Sequence, residues 1–143
     1  MKSLQEISDR IEIQDLITDY SYAVDTHRWD DLDAIFTPDA ALDFTATGGI
    51  AGRLPEIKVW FEQVLNLFSS HQHLVATSKI AFDGDTATAR TICHNPMTLD
   101  DHGTESVVFV GLWYDDTFVR TPDGWRISAR KQRKSYLHGL PHR

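Results

Sequence analysis

The stretch His73-Leu74-Val75-Ala76-Thr77-Ser78-Lys79-Ile80-Ala81-Phe82-Asp83-Gly84-Asp85-Thr86-Ala87-Thr88-Ala89-Arg90-Thr91-Ile92-Cys93-His94-Asn95-Pro96-Met97 decides the fold. Two runs rich in Thr, Val, Ile and Ala flank Asp83-Gly84-Asp85, a turn sequence in which glycine accepts the backbone angles that other residues avoid. The reading is a hairpin of strands over 73–82 and 86–97. The same grammar repeats downstream, with a polar loop at 100–103, a strand over 105–120, a turn at Thr121-Pro122-Asp123-Gly124 and a last strand over 125–136.

Upstream the hydrophobic period changes from two to between three and four. Leu4, Ile7, Ile11, Ile13, Leu16, Ile17, Tyr20 and Val24 predict an amphipathic helix over 3–24. After Asp25-Thr26-His27 a short second helix is expected, with Trp29, Leu32, Ile35 and Phe36 inward and Thr37-Pro38-Asp39 as its stop, so that the two helices form a hairpin. A strand over 40–45 comes next, and then a Thr47-Gly48-Gly49 loop. A third helix starts near Pro55, turns Ile57, Trp60, Phe61, Val64, Leu65 and Phe68 to the core, and ends around Ser69-Ser70.

Helices first and long strands afterwards give α+β, with a curved, mostly antiparallel sheet wrapped on the helices. No repeat, low-complexity run or linker interrupts the chain, so residues 1–143 are expected to be one domain ending in a loosely held tail over 139–143.

A formal charge of −7 argues against nucleic-acid binding, which needs clustered basic surface. The one basic run, Arg130, Lys131, Arg133 and Lys134, is interleaved as on a solvated strand face. Cys93 is the sole cysteine, so no internal disulfide forms, and no apolar run approaches the ~18 residues that span a bilayer. No export signal is visible at the polar N-terminus, and a cytoplasmic location without membrane partners is expected.

Several side chains could carry chemistry. Asp25 closes the stripe of the first helix, either to cap the next helix at Arg28-Trp29 or to point into a pocket beneath it. His73 opens a strand whose faces are both apolar enough to be buried; it is either a structural histidine or, with a carboxylate facing it, a general base. Tyr20 lies about 140° from Asp25 around a helix and shares a pocket with it only if the helix ends near Asp25, whereas Tyr22 suits a straight helix. Cys93, Asn95 and Met97 share one strand face, and an inward Asn95 offers a ligand both donor and acceptor. Arg130 is either a surface charge or a cation for a developing oxyanion. In His71-Gln72-His73 two histidines face one side, but no third ligand follows at a recognisable spacing, so no metal is expected. Phosphate-loop, dinucleotide and serine-hydrolase motifs are missing, and no cofactor is expected.

The residues Ile13-Gln14-Asp15-Leu16, Tyr20, Val24-Asp25, Trp29, Leu32, Phe36-Thr37-Pro38-Asp39-Ala40, His73, Asp83-Gly84-Asp85 and Gly124-Trp125-Arg126-Ile127 together resemble the SnoaL-like branch of the NTF2-like (cystatin-like) superfamily. That branch includes scytalone dehydratase, bile acid 7α-dehydratase and hexachlorocyclohexane dehydrochlorinase. The resemblance implies a cone of curved sheet around helices. It implies that Asp25 and His73 are the catalytic dyad, that Arg130 is a pocket arginine, and that Tyr20 matches the dehydratase tyrosine where the dehydrochlorinase has lysine. Asn95 falls near a polar pocket position, with Tyr22, Cys93 and Trp60 as further expected substrate contacts. The implied activity is a cofactor-free, dehydratase-like lyase acting on a hydrophobic, possibly cyclic small molecule, in a homotrimer or dimer. The alternatives are an isomerase or cyclase using the same proton abstraction, or a non-catalytic binding or structural module.

Overall fold

A computed structural model of the chain describes residues 1–140. Helix α1 runs over Leu4–Asp25, opened by Ser3, whose hydroxyl accepts the Glu6 backbone N–H at 3.1 Å. Its inner stripe is Ile13, Leu16, Ile17, Tyr20, Ala23 and Val24. Leu4, Ile7 and Ile11, expected on the same face, are instead exposed. Asp9 takes the buried place in those first turns, bound through both carboxylate oxygens to Arg120 at 2.8 Å and by the Trp125 indole N–H at 3.0 Å.

The expected second helix is a short 3₁₀ segment, Trp29–Ala34, and Phe36 already belongs to strand β1, Phe36–Asp43. Pro38 does not stop a helix here. It sits where the pairing of β1 with the last strand slips, between Phe36 and Ala41, a break in the ladder that tolerates a residue without an N–H.

Strand β2 is Ala51–Gly52, and helix α2 is Leu54–Leu65 with Pro55 in its first turn. Strand β3, Ser70–His71, is a pairing that the sequence period did not announce. Strands β4 (Leu74–Asp83), β5 (Thr86–Asp101), β6 (Thr104–Thr121) and β7 (Gly124–His138) complete the set, each close to its expected span. The tail residues 141–143 lie outside the described residues.

The sheet order is β2-β1-β7-β6-β5-β3, with β4 also on β5. All pairs are antiparallel except β1 with β7, so the sheet is mixed, curved and unclosed. Irregularities between Val75 and Ser78, Gly111 and Leu112, and Thr117 and Phe118 mark where strands bend. Gly111 allows one such bend, since a Cβ there would run into the Tyr136 ring. The core, including Tyr114, Phe118, Trp125 and Ile127 from the sheet, packs between the sheet and α1. Among the described residues no helix is long and apolar enough to cross a membrane.

Candidate active site

Helix α1 ends at Asp25, which lets a carboxylate from its last turn meet His73 in the short connection just ahead of β4, and not on the strand itself as expected. Asp25 Oδ1 accepts from His73 Nδ1 at 2.6 Å, and Asp25 Oδ2 accepts the His73 backbone N–H at 2.7 Å. One carboxylate thus fixes both the ring and the main chain of His73. The Ser21 hydroxyl adds a bond of 2.5 Å to the His73 carbonyl. With Nδ1–H committed to Asp25, Nε2 is the basic atom of the ring.

Burial pushes the Asp25 carboxyl upward, but hydrogen bonds from His71 and His73 and the field of His73 outweigh it and hold the group well below the usual carboxylate range. Asp25 is an anion throughout the neutral range.

His73 and Tyr20 line a small inner cavity of about 150 Å³, together with Phe44, Trp60, Phe61 and Asn95. The two rings meet edge to face with centroids 6.5 Å apart. Trp60 packs with Phe44 and Phe61 on one wall, and Gly49 lies so close that a Cβ there would reach the Trp60 ring at 2.5 Å. Asn95 is 7% exposed, and its side-chain oxygen has no partner among the described residues. A buried acceptor on a cavity wall calls for a donor from whatever enters. Burial pushes the Tyr20 phenol up to about 12 against the pull of the Arg130 charge, so the phenol keeps its proton.

The remaining expected residues lie elsewhere. Tyr22 is 71% exposed on the outer side of α1, because its place on the helix carries it away from the sheet that Tyr20 faces. Cys93 is in the core and outside the cavity lining, and burial raises its thiol to about 11. Arg130 is 1% exposed and also outside that lining. Cross-strand register sets it opposite Asp116, and the two form a bidentate pair at 2.7 and 2.8 Å. Its guanidinium lies 4.2 Å from the Tyr20 ring centre and 3.9 Å from that of Tyr114. Arg130 therefore sits against the Tyr20 and Tyr114 rings and not on the wall of the inner cavity. The cation expected at an oxyanion is neutralised by a carboxylate that sequence alternation alone could not pair with it.

Gln132 and His27 escaped the sequence reading, and His71 entered it only as half of a histidine pair. Gln132, two residues past Arg130 on the same inner face, lines the cavity and accepts from the Thr47 hydroxyl. His71 donates to Asp25 Oδ1 from Nδ1 at 3.0 Å, and His27 meets His71 through their Nε2 atoms at 2.7 Å. The Asp25, His71 and His73 donor atoms lie within 4.8 Å of one another, so the third group missing from the histidine pair comes from the helix. A divalent metal would find two imidazoles and a carboxylate there. In the structure those atoms hydrogen-bond to one another through Asp25 Oδ1.

A curved sheet covered by an N-terminal helix thus carries an Asp-His pair at the wall of an inner cavity. The chain belongs to the SnoaL-like domain family, which matches residues 5–131. It is 54% identical over 136 residues to the uncharacterised protein Rv2910c of Mycobacterium tuberculosis, covering 95% of this chain and 92% of that one. Among solved structures it is similar to two from Novosphingobium aromaticivorans. One, provisionally assigned as an aromatic ring hydroxylase, is 29% identical with a TM-score of 0.81, covering 94% of each chain. The other, provisionally assigned as a scytalone dehydratase, is 19% identical with a TM-score of 0.81, covering 96% of this chain and 91% of that one. The hexachlorocyclohexane dehydrochlorinase LinA-type3 of Novosphingobium barchaimii shares the fold at a TM-score of 0.83 and 20% identity, covering 97% of this chain and 94% of that one.

Proposed function

We propose that this protein is a cofactor-independent lyase that eliminates water from a hydrophobic small molecule by proton abstraction. The observation that carries this reading is the ionised Asp25 bound to His73 Nδ1 at 2.6 Å on the wall of an apolar cavity. His73 Nε2 takes a proton from the substrate carbon, and Asp25 stabilises the imidazolium that results. The C–H electrons form the new C=C bond as the C–O bond breaks. Tyr20, held protonated by burial, gives its proton to the departing oxygen. The imidazolium then returns a proton to the phenolate, so the enzyme ends as it began and water leaves. Asn95 accepts from a hydroxyl or amine of the substrate and sets its orientation. Arg130, charged and paired with Asp116, steadies the transient phenolate through the Tyr20 ring it touches.

Asp25→Asn and His73→Ala are expected to lower turnover by about 10² to 10⁴ while circular dichroism stays that of the parent. Turnover equal to the parent in both variants would end the proposal. A product lighter by one water marks elimination, and an unchanged mass marks isomerisation.

A further inference from the structure

We infer that Gln132 is a specificity-determining residue of the inner cavity, its amide N–H aimed at a carbonyl oxygen of the ligand, and that the cavity takes an uncharged hydroxy-carbonyl compound. This rests on the reading of the cavity as the site of elimination.

The register of β7 on β6 sets Gln132 across from Tyr114, on the inward side of the sheet, where it is 7% exposed and borders the cavity. Thr47 tells the two ends of its amide apart. The Thr47 hydroxyl stands 2.5 Å from Gln132 Oε1, a separation that suits O–H···O and is too short for N–H···O, so the oxygen end faces Thr47 and accepts from it. The one competing acceptor for that hydroxyl, the Phe44 carbonyl, is 3.3 Å away and already takes the Gly49 backbone N–H at 2.9 Å. With Oε1 occupied, Gln132 Nε2 offers two hydrogens that no acceptor among the described residues takes up.

No Lys, Arg, Asp or Glu borders the cavity. A carboxylate or phosphate inside it would lose its hydration without meeting a cation, since Arg130 is already paired with Asp116, and it would face the Asp25 anion behind His73. What the walls leave open is one acceptor, Asn95 Oδ1, and one donor, Gln132 Nε2. These come from β5 and β7, on either side of β6, with backbones about 10 Å apart across the sheet. Their partners on β6, Val110 and Tyr114, also lie four residues apart along the strand. A single ligand hydroxyl therefore does not reach both. The ligand presents a hydroxyl to Asn95 at one point and a carbonyl to Gln132 at another.

That pairing suits the chemistry. A carbonyl next to the C–H that His73 attacks makes the proton acidic enough for an imidazole, and the negative charge that builds on its oxygen as the bond breaks meets the Gln132 N–H. The hydroxyl that departs is then the one shared by Asn95 and Tyr20. Thr47 is a positioning residue in this scheme, because its hydroxyl decides which end of the amide the ligand meets.

Binding of 4-hydroxycyclohexanone, followed on the Gln132 side-chain amide pair in ¹H–¹⁵N spectra, tests this without turnover, because the hydroxyl of that probe is one carbon too far from the ketone to be expelled. Cyclohexanol keeps the ring and the hydroxyl but lacks the carbonyl. The parent is expected to bind the hydroxyketone several-fold more tightly than cyclohexanol, with the Gln132 amide signals moving only for the ketone. Gln132→Leu should weaken the hydroxyketone about three- to tenfold and leave cyclohexanol unchanged. Thr47→Val, which frees the amide to turn over, should weaken the hydroxyketone in the same sense. No binding of the hydroxyketone, equal affinity of the parent for the two probes, or an equal loss for both in Gln132→Leu overturns the inference. Should Gln132→Leu fail to fold, Thr47→Val decides, and a preference for the ketone identical to that of the parent counts against Gln132. These are binding measurements, so the turnover of Asp25→Asn and His73→Ala can fail the lyase reading while the Gln132 preference stands, and the reverse.

Discussion

Tyr20 shows how one side chain is tuned by its surroundings. A free tyrosine ionises near 10, and burial raises Tyr20 to about 12. The unfolded chain loses this proton first, so the stability it contributes is whole below pH ~10 and is lost as pH climbs through the folded value. A difference titration of phenolate absorbance between parent and Tyr20→Phe should therefore lack a step near 10 and show one near 12; a step near 10 would mean the phenol is wet. As a proton donor Tyr20 is expected to work unchanged across the neutral range, where Asp25 also stays ionised. The Arg130–Asp116 pair beside it obeys the opposite logic. Its members cancel each other's charge in the core, and neither was recognisable as paired from the sequence because their meeting depends on the register of β6 against β7.

At the scale of the element, the end of α1 does the most. Helix and site coincide there, because Asp25 closes the helix and His27 reverses the chain at positive φ. Replacing His27 by glycine relieves the backbone while alanine does not, so His27→Gly should be more stable than His27→Ala by about 1 kcal/mol in urea unfolding. Equal stabilities would show that the turn carries no strain. The long strands were legible because each alternates over many residues and is punctuated by turn residues, and Asp25, His73, Tyr20, Asn95 and Trp60 were legible as candidates from motif and face. The second helix was misread because Trp29, Leu32, Ile35 and Phe36 fit a helical stripe equally well as a 3₁₀ turn leading into a strand. Tyr22 and Cys93 were misplaced for a related reason: an angle on a helix or a parity on a strand says which side a residue faces, not whether a cavity lies there.

For the whole molecule, the sheet has two faces with different tasks. The inner one holds the core and the cavity. The outer one carries a broad open depression of about 940 Å³, floored by small residues such as Ala81, Thr88, Thr117 and Ala129. It is larger than the inner cavity but holds none of the Asp-His chemistry. Such a face suits a second copy of the chain, in line with the trimer or dimer expected from the family resemblance. Light scattering should give a mass above the 16.3 kDa of one chain, and Ala129→Glu should reduce it to that of a monomer. A monomeric parent would leave this face without a partner.

The double grip of Asp25 on His73, one oxygen for the imidazole and the other for the peptide N–H, has an evolutionary corollary. The group that would arm the base also rivets the helix to the sheet, so a drifting lineage cannot discard the chemistry at this position without loosening the seam between its two layers.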